Sequence, residues 1–211
     1  AQGAVKIVAE SGWEGDLGKL IESAVAAVAE FSNDDQAAVT EAVSDYVGER
    51  VRRWLMDTVG VAFDTADAVM AADWSNLPAA VVRAQALESA RTSENFRWLA
   101  LAFKRVRNIT DGQPDAGVDP AHFEMDEERA LHDTTEEVQK QLQSLLPEGK
   151  VEEAFAAMEP SADKLEQFFV EVLVMCEDER VRDNRIALLK ELGRQFSELA
   201  DLSKLQVEGG E

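Results

Sequence analysis

The sequence has little of the material from which metal, disulfide and membrane sites are built. Its single cysteine, Cys176, leaves no partner for an internal disulfide and is typical of a reducing compartment. The two histidines, His122 and His132, have no cysteine near them, so neither a zinc-ligand spacing nor an HExxH motif occurs. No apolar run approaches the roughly 18 to 20 residues of a membrane helix, and no signal peptide opens the chain. We therefore expect a cytoplasmic protein with no metal site and no membrane partner.

Catalytic motifs are missing as well. The sequence contains neither of the phosphate-binding motifs GxxxxGK[ST] and GxGxxG. Cys176 has no histidine close in sequence that would activate it as a nucleophile. Pairs of acids are frequent, but a chain with 42 Asp and Glu residues contains such pairs by chance. No catalytic residue and no cofactor site are predicted, so whether the protein is an enzyme stays open at this level.

Alternation of apolar and polar residues, the mark of β-strands, is almost absent. Apolar residues instead recur every three or four positions, as they do in amphipathic helices, and 45% of the residues are hydrophobic, enough for a core. We predict an all-α fold, a bundle of several helices. The predicted helices span residues 16–31, 34–59, 65–72, 78–90, 94–109, 126–146, 150–158, 162–175 and 178–200. Asp64 is the candidate N-cap of the third helix and Ser93 that of the fifth. The apolar stripe of the second helix consists of Val39, Val43, Val47, Val51, Trp54 and Leu55.

A stretch rich in Gly, Pro and Asp, residues 110–120, is the clearest loop in the chain. It predicts a division into two helical parts. Because the sequence begins with Ala1 rather than Met, we also expect it to be a fragment cut from a longer polypeptide. The predicted segments are 1–15 (N-terminal segment of the fragment), 16–109 (helical, with basic faces), 110–123 (linker loop), 124–206 (helical) and 207–211 (tail).

Positive charge is scarce and unevenly distributed. The chain has 21 Lys and Arg against 42 Asp and Glu, a formal net charge of -21. Residues 50–107, however, hold nine cations and six acids, so this stretch is locally +3 and the rest of the chain is -24. The overall charge repels polyanions, and we expect no binding to DNA. The charge is therefore segregated along the chain.

The largest cluster of cations lies on the predicted helix 94–109. Successive residues turn by about 100°, which places Arg97, Lys104 and Asn108 on one face with Arg105 and Arg107 on either side of it. Arg and Asn side chains donate hydrogen bonds in a fixed planar geometry to phosphates or base edges. The alternative for this group is a solvated helix face with local salt bridges. The apolar stripe of the same helix, on the opposite side, consists of Phe96, Leu99, Phe103 and Val106.

Further candidates for contact with phosphates or bases are polar or aromatic residues that lie off the apolar stripes of their helices. For two of them, Asn184 and Arg185, the alternative to RNA contact is a structural role in orienting Glu177 or Asp178. Trp98 lies off the stripe, where it would stack on a base or enter an interface. The additional candidates are Arg50 and Arg53 on the second predicted helix, Arg182, Asn184 and Arg185 on the last one, and Trp98 beside Arg97.

Several segments, taken in order, resemble one family. They are DYVGERVRRWLMD, FDTADAVMAAD, PAAVVRAQALESAR, AFKRVRNI, VDPAHFEMDEERAL, KLEQFFVEVLVMCEDERVRDNRIALLKEL and ADLSKLQ. Together they resemble the C-terminal region of the β subunit of bacterial tetrameric glycyl-tRNA synthetase over about residues 16–206. This resemblance implies a helical anticodon-binding bundle, related to that of the class I arginyl-tRNA synthetase.

The resemblance also implies a function and partners. The partners would be the anticodon stem-loop of tRNA(Gly) and the α subunit, which would hold glycine and ATP for ATP-dependent charging, whereas this fragment would hold no cofactor and no catalytic site. Lys104, Arg105 and Arg107 would position phosphates, and Asn108 would read a base or cap the helix end. The alternative function is an acidic helical module that docks a partner subunit without binding RNA.

Overall fold

The computed structural model describes residues 2–11, 13, 15–31 and 34–207. Within these ranges the regular structure is helical and contains no β-strand, which confirms the predicted all-α class. Four 3₁₀ turns and one π-turn supplement the α-helices. The α-helices are α1 (Gln2–Ser11), α2 (Leu17–Val28), α3 (Gln36–Trp54), α4 (Phe63–Ala72), α5 (Leu77–Ala90), α6 (Glu94–Thr110), α7 (Asp126–Leu145), α8 (Val151–Met158), α9 (Ser161–Glu171) and α10 (Glu179–Ser197).

Local sequence signals fix most helix ends. The Ser93 hydroxyl and the Asp178 carboxylate accept backbone N–H groups in the first turns of α6 and α10, satisfying donors that have no partner inside the helix. The π-turn Leu55–Val59 continues α3 and is closed by Gly60, whose φ of 85° is a conformation that glycine adopts without strain. The predicted ends of these three helices agree with the structure to within a few residues.

Three predictions of helix geometry differ from the structure. Residues 2–11 form α1, which the sequence patterns had left as an N-terminal segment. Asp64 is not an N-cap, since α4 begins at Phe63 and the Asp64 carboxylate instead binds Arg91. Helix α9 ends at Glu171 rather than at 175, because the backbone turns extended at Val172 and the following segment packs beside α10.

A continuous core joins helices from both sides of the 110–120 loop. Helix α5 packs on α8, and α6 packs on both α9 and α10. The buried stripe of α6 anchors these contacts: Phe96 meets Phe155 edge-on at 5.8 Å between ring centroids, and Phe103 stacks on Phe196 at 5.7 Å. The two predicted helical parts therefore share one core.

The N-terminal helices pack less completely. Helix α3 contacts α1, α2 and α4, and its predicted apolar stripe is buried only toward the end, at Val51 and Leu55, whereas Val43 is exposed. Helix α6, by contrast, buries Phe96, Leu99, Phe103 and Val106 on one side and is open to solvent on the other.

Candidate nucleic-acid interface

The solvent-facing side of α6 carries the cations predicted from its spacing. Because Phe96, Leu99, Phe103 and Val106 are buried on the opposite side, Arg97, Arg107 and Asn108 are exposed and Lys104 is half-buried. We call Arg97, Lys104, Arg105, Arg107 and Asn108 the α6 surface. The packing of α6 against α9 and α10 fixes the direction in which this surface faces.

The cations of the α6 surface have no acidic partner among the residues that the structure describes. In the described part of the chain no Asp or Glu oxygen lies within 4.0 Å of their side-chain nitrogens, whereas Arg91, Arg182 and Lys190 each pair with carboxylates. Mutual repulsion of two such charges about 10 Å apart in water is small, near 0.4 kcal/mol. The arrangement is therefore tolerated, and it places four cations on one helix in a chain whose acids outnumber its bases two to one.

Arg105 and Trp98 lie on the side of α6 that faces α9. The Arg105 guanidinium lies over the Phe169 ring of α9, 4.1 Å from its centroid, a cation–π contact that joins the two helices. Trp98 is 58% exposed, as its position off the apolar stripe predicted. Both side chains line a groove between the two helices.

The predicted pair on α3 lies apart from α6. Arg50 stacks over the Tyr46 ring at 3.7 Å, and Arg53 makes an exposed ion pair with Glu49 at 3.6 Å. Helix α3 packs against α1, α2 and α4 rather than against α6. The structure thus gives this pair local partners and does not join it to the α6 surface.

Asn184 and Arg185 are buried, which removes them from any surface that meets RNA. Arg185 is 4% exposed and donates to Glu128 Oε1 at 2.8 Å and to Glu124 at 3.2 Å. Asn184 accepts from the Asp119 N–H at 2.7 Å and donates to the Asp119 carbonyl at 3.1 Å. Both side chains thus bind internal partners, and among the described residues these partners are Asp119, Glu124, Glu128 and the Leu173 carbonyl rather than Glu177 or Asp178.

The charge of Arg185 is stabilised inside the protein. Burial by itself would lower the pKa of its guanidinium, but the hydrogen bond and charge of Glu128 outweigh burial and raise it. Arg182, the third member of this predicted cluster, is partly exposed and pairs with Asp183 at 3.1 Å and Glu179 at 3.9 Å. Both arginines therefore have carboxylate partners within the protein.

One cation near the α6 surface, Arg194, was not among the residues predicted from the sequence. Arg194 of α10 is exposed and lines, with Arg107 and Lys190, a cleft of about 390 Å³ between α6 and α10. Lys190 is occupied by Asp115 at 2.9 Å, while Arg194 has no ion pair among the residues described. The spacing of Lys190 and Arg194 placed them on one face of α10, but only the packing of α10 on α6 brings Arg194 close to Arg107.

The described ranges contain no group of three or more His, Cys, Asp and Glu side chains placed to bind a metal ion. None of their helices combines the length and the hydropathy needed to span a bilayer.

Comparison with protein families shows which family the chain that carries the α6 surface belongs to. Residues 99–206 match the family described as the DALR anticodon binding domain. The chain belongs to this anticodon-binding family. The matched region begins within α6 and runs through α10, so the anticodon-binding domain includes Lys104, Arg105, Arg107 and Asn108, while Trp98 and Arg97 stand immediately before it.

Curated proteins similar to the anticodon-binding chain carry the name glycine–tRNA ligase beta subunit. The protein from Syntrophotalea carbinolica is 32% identical over 206 residues, which are 97% of this chain and 30% of the relative. That from Geobacter metallireducens is 32% identical over 205 residues, with the same coverage. That from Shewanella pealeana is 34% identical over 215 residues, covering 98% of this chain and 30% of the relative. The chain thus spans about 30% of the length of these relatives.

Proposed function

We propose that the chain is the anticodon-binding domain of a glycine–tRNA ligase beta subunit and that its α6 surface binds the anticodon stem-loop of tRNA(Gly). The observation that carries the proposal is the set of unpaired, outward-facing cations on α6, within and directly before the matched family region. Glycine is proposed as the amino acid because the similar proteins are named glycine–tRNA ligase beta subunit. ATP-dependent attachment of glycine would take place in the cytoplasm on the partner α subunit, which would hold glycine and ATP, while this chain would bind no cofactor.

The residue types of the α6 surface suit an anticodon loop. Such a loop exposes phosphates and unstacked bases, and proteins hold the phosphates with cations while reading the bases with planar side chains. Lys104 supplies a mobile charge, and Arg97 and Arg107 supply planar guanidinium groups that bind a phosphate with two hydrogen bonds. These three residues position the RNA backbone.

Asn108 is available to a base. The predicted alternative was a cap at the end of α6, but the cap position there is Asp111, whose backbone N–H donates to the Arg107 carbonyl at 2.9 Å. The Asn108 side chain is exposed and makes no hydrogen bond to the described residues. Its amide both donates and accepts, as reading a base edge requires.

The net charge of -21 limits the affinity but leaves the site intact. At physiological ionic strength the Debye length is about 8 Å, so acids farther from α6 than this act weakly on bound phosphates. Binding by this chain alone is therefore expected to be weak and to fall steeply with added salt.

Removal of the outward cations tests the proposal. We expect the combined substitution Arg97→Ala, Lys104→Ala and Arg107→Ala to weaken binding of a tRNA(Gly) anticodon stem-loop about 30- to 100-fold at low salt, since charged hydrogen bonds are lost. The slope of log affinity against log salt should become shallower by about 2, because each phosphate contact on single-stranded RNA contributes about 0.7. Fluorescence anisotropy of labelled RNA between about 50 and 200 mM salt measures both.

A matched control separates position from net charge. Replacing Lys6, Lys19 and Lys140 by Ala also changes the net charge from -21 to -24, but these lysines form only exposed pairs within one helix or its cap. The control should bind within about twofold of wild type. Equal losses in the two variants would show that charge alone matters. Unchanged binding in both, with a nuclease-treated α subunit still captured, would favour the protein-docking alternative.

A further inference from the structure

We propose that the groove between α6 and α9 receives one unstacked base of the bound RNA and favours a base with an exocyclic amino group. The groove has a volume of about 720 Å³ and opens beside the α6 surface. This inference rests on the proposed function, because the α6 surface would bring the RNA to the groove. It assigns the base-reading role to Trp98, Arg105 and the carboxylates of the groove.

The walls of the groove provide flat faces for stacking. Trp98 presents an exposed indole on the α6 side, and Arg105, whose guanidinium lies over the Phe169 ring at 4.1 Å, supplies an exposed planar group beside it. Unstacked RNA bases are held on aromatic rings and arginine planes of this kind. Leu101 and Ala102 of α6 complete an apolar floor between these groups.

The rim of the groove is acidic and excludes phosphates. Glu94, Asp163 and Glu166 line it together with Asn95. A carboxylate accepts hydrogen bonds from an amino group, as Glu and Asp do from cytosine N4, but repels a phosphate. Cytosine, adenine and guanine carry an exocyclic amino group and uracil carries none. The chemistry of the rim therefore favours an amino-bearing base over uracil.

The positions on α6 allow phosphate and base to bind together. Viewed down the axis of α6, Trp98 is rotated by about 100° from Arg97 and Arg105 by about 80°, both toward α9. Trp98 and Arg105 are separated by about 10 Å along the axis. A nucleotide whose phosphates contact Arg97 and Lys104 can thus turn its base into the groove. A groove continuous with the phosphate contacts fits an RNA loop better than it fits a partner helix, whose apolar face would meet three carboxylates.

Two groove variants test the inference on the full 211-residue chain. Trp98→Leu keeps an apolar side chain but removes the stacking face, and we expect it to weaken binding of the anticodon stem-loop about tenfold without changing the salt slope. The double variant Asp163→Asn and Glu166→Gln should reduce the preference for cytosine over uracil in the loop from about tenfold to less than twofold. Anisotropy titrations with stem-loops that differ at one loop base measure both effects.

A second measurement reports stacking directly. The fluorescence of 2-aminopurine placed in the loop should be quenched on binding to wild type and to Trp13→Leu, a matched change of an exposed tryptophan far along the chain from α6, but not to Trp98→Leu. Wild-type affinity and quenching in Trp98→Leu would overturn the base-binding groove while leaving the α6 surface in place. Loss of α-subunit capture in Trp98→Leu, with RNA binding intact, would make the groove a protein-docking site and overturn the inference.

Discussion

Substitution of Glu128 by Leu is expected to lower the free energy of unfolding by about 3 to 5 kcal/mol, the range found when one partner of a buried ion pair is removed. Glu128 is fully buried. Its Oε1 accepts from Arg185, and its Oε2 accepts the backbone N–H groups of Glu124 and Met125 at 2.8 Å each. The change leaves a buried arginine without its main counter-charge and two backbone donors without an acceptor, so the loss should be visible in urea unfolding.

The adjacent residue supplies the control. Glu127→Leu makes the same change one position earlier, on a partly exposed side chain, and should alter stability by no more than about 0.5 kcal/mol. Adding Arg185→Met to Glu128→Leu should recover part of the loss, because the unpaired charge is then gone. A loss below 1 kcal/mol in Glu128→Leu alone would mean that Glu124 replaces Glu128 as the counter-charge of Arg185.

The Glu128–Arg185 ion pair also supports the backbone next to the groove between α6 and α9. Arg185 also donates to the Leu173 carbonyl at 3.1 Å, in the extended segment that follows α9. Glu128 lies in the first turn of α7, so the pair connects α7, α10 and the segment after α9, the helix that forms one wall of the groove beside α6. Stability variants at Glu128 should therefore be checked for folding before their RNA binding is interpreted.

The sequence predicts α6 well because the information is local. The spacing of Phe96, Leu99, Phe103 and Val106 indicates which side is buried, and Ser93 marks the start of the helix. Once the buried side is known, the solvent-facing direction of Arg97 and Lys104 follows from helical geometry. The same reasoning placed Trp98 outside the core.

The sequence does not distinguish the α6 cations from Arg185, because the difference depends on distant partners. Glu128 lies 57 residues before Arg185, and nothing in the spacing around Arg185 indicates that they meet. The end of α9 was missed for a related reason. The apolar pattern continues past Glu171, so periodicity extends the helix, whereas the contact of Leu173 with Arg185 belongs to the tertiary structure.

Asp64 shows the same limit and leads to the second large effect. The sequence suggested a helix cap, but its carboxylate, which is 2% exposed, accepts both Arg91 guanidinium nitrogens, at 2.7 and 2.8 Å, and the Gln206 N–H at 2.7 Å. Asp64 thus links α4 to Arg91, the residue that follows α5, and to the C-terminal segment at Gln206. This segment packs beside α6. We expect Asp64→Asn to lower the free energy of unfolding by about 3 kcal/mol at pH 7, at the low end for a buried pair because Arg91 is partly exposed.

The Asp64 effect should depend on pH. Burial would raise the pKa of Asp64, but the hydrogen bonds from Arg91 and Gln206 outweigh it and hold the pKa below the ordinary value. A carboxyl group whose pKa is lower in the folded protein contributes its full stability above the unfolded value, about 3.9, and loses it as the pH falls through the folded value. The stability difference between wild type and Asp64→Asn should therefore be constant near neutral pH and shrink below about pH 4.

The control is Asp57→Asn, which changes an exposed carboxylate of the same stretch and should have little effect on stability at any pH. A difference that stays constant down to pH 2 would contradict an ionised Asp64 as the origin, whereas faster hydrogen exchange at the Gln206 amide in the variant at pH 7 would locate the lost contact at the C-terminal segment.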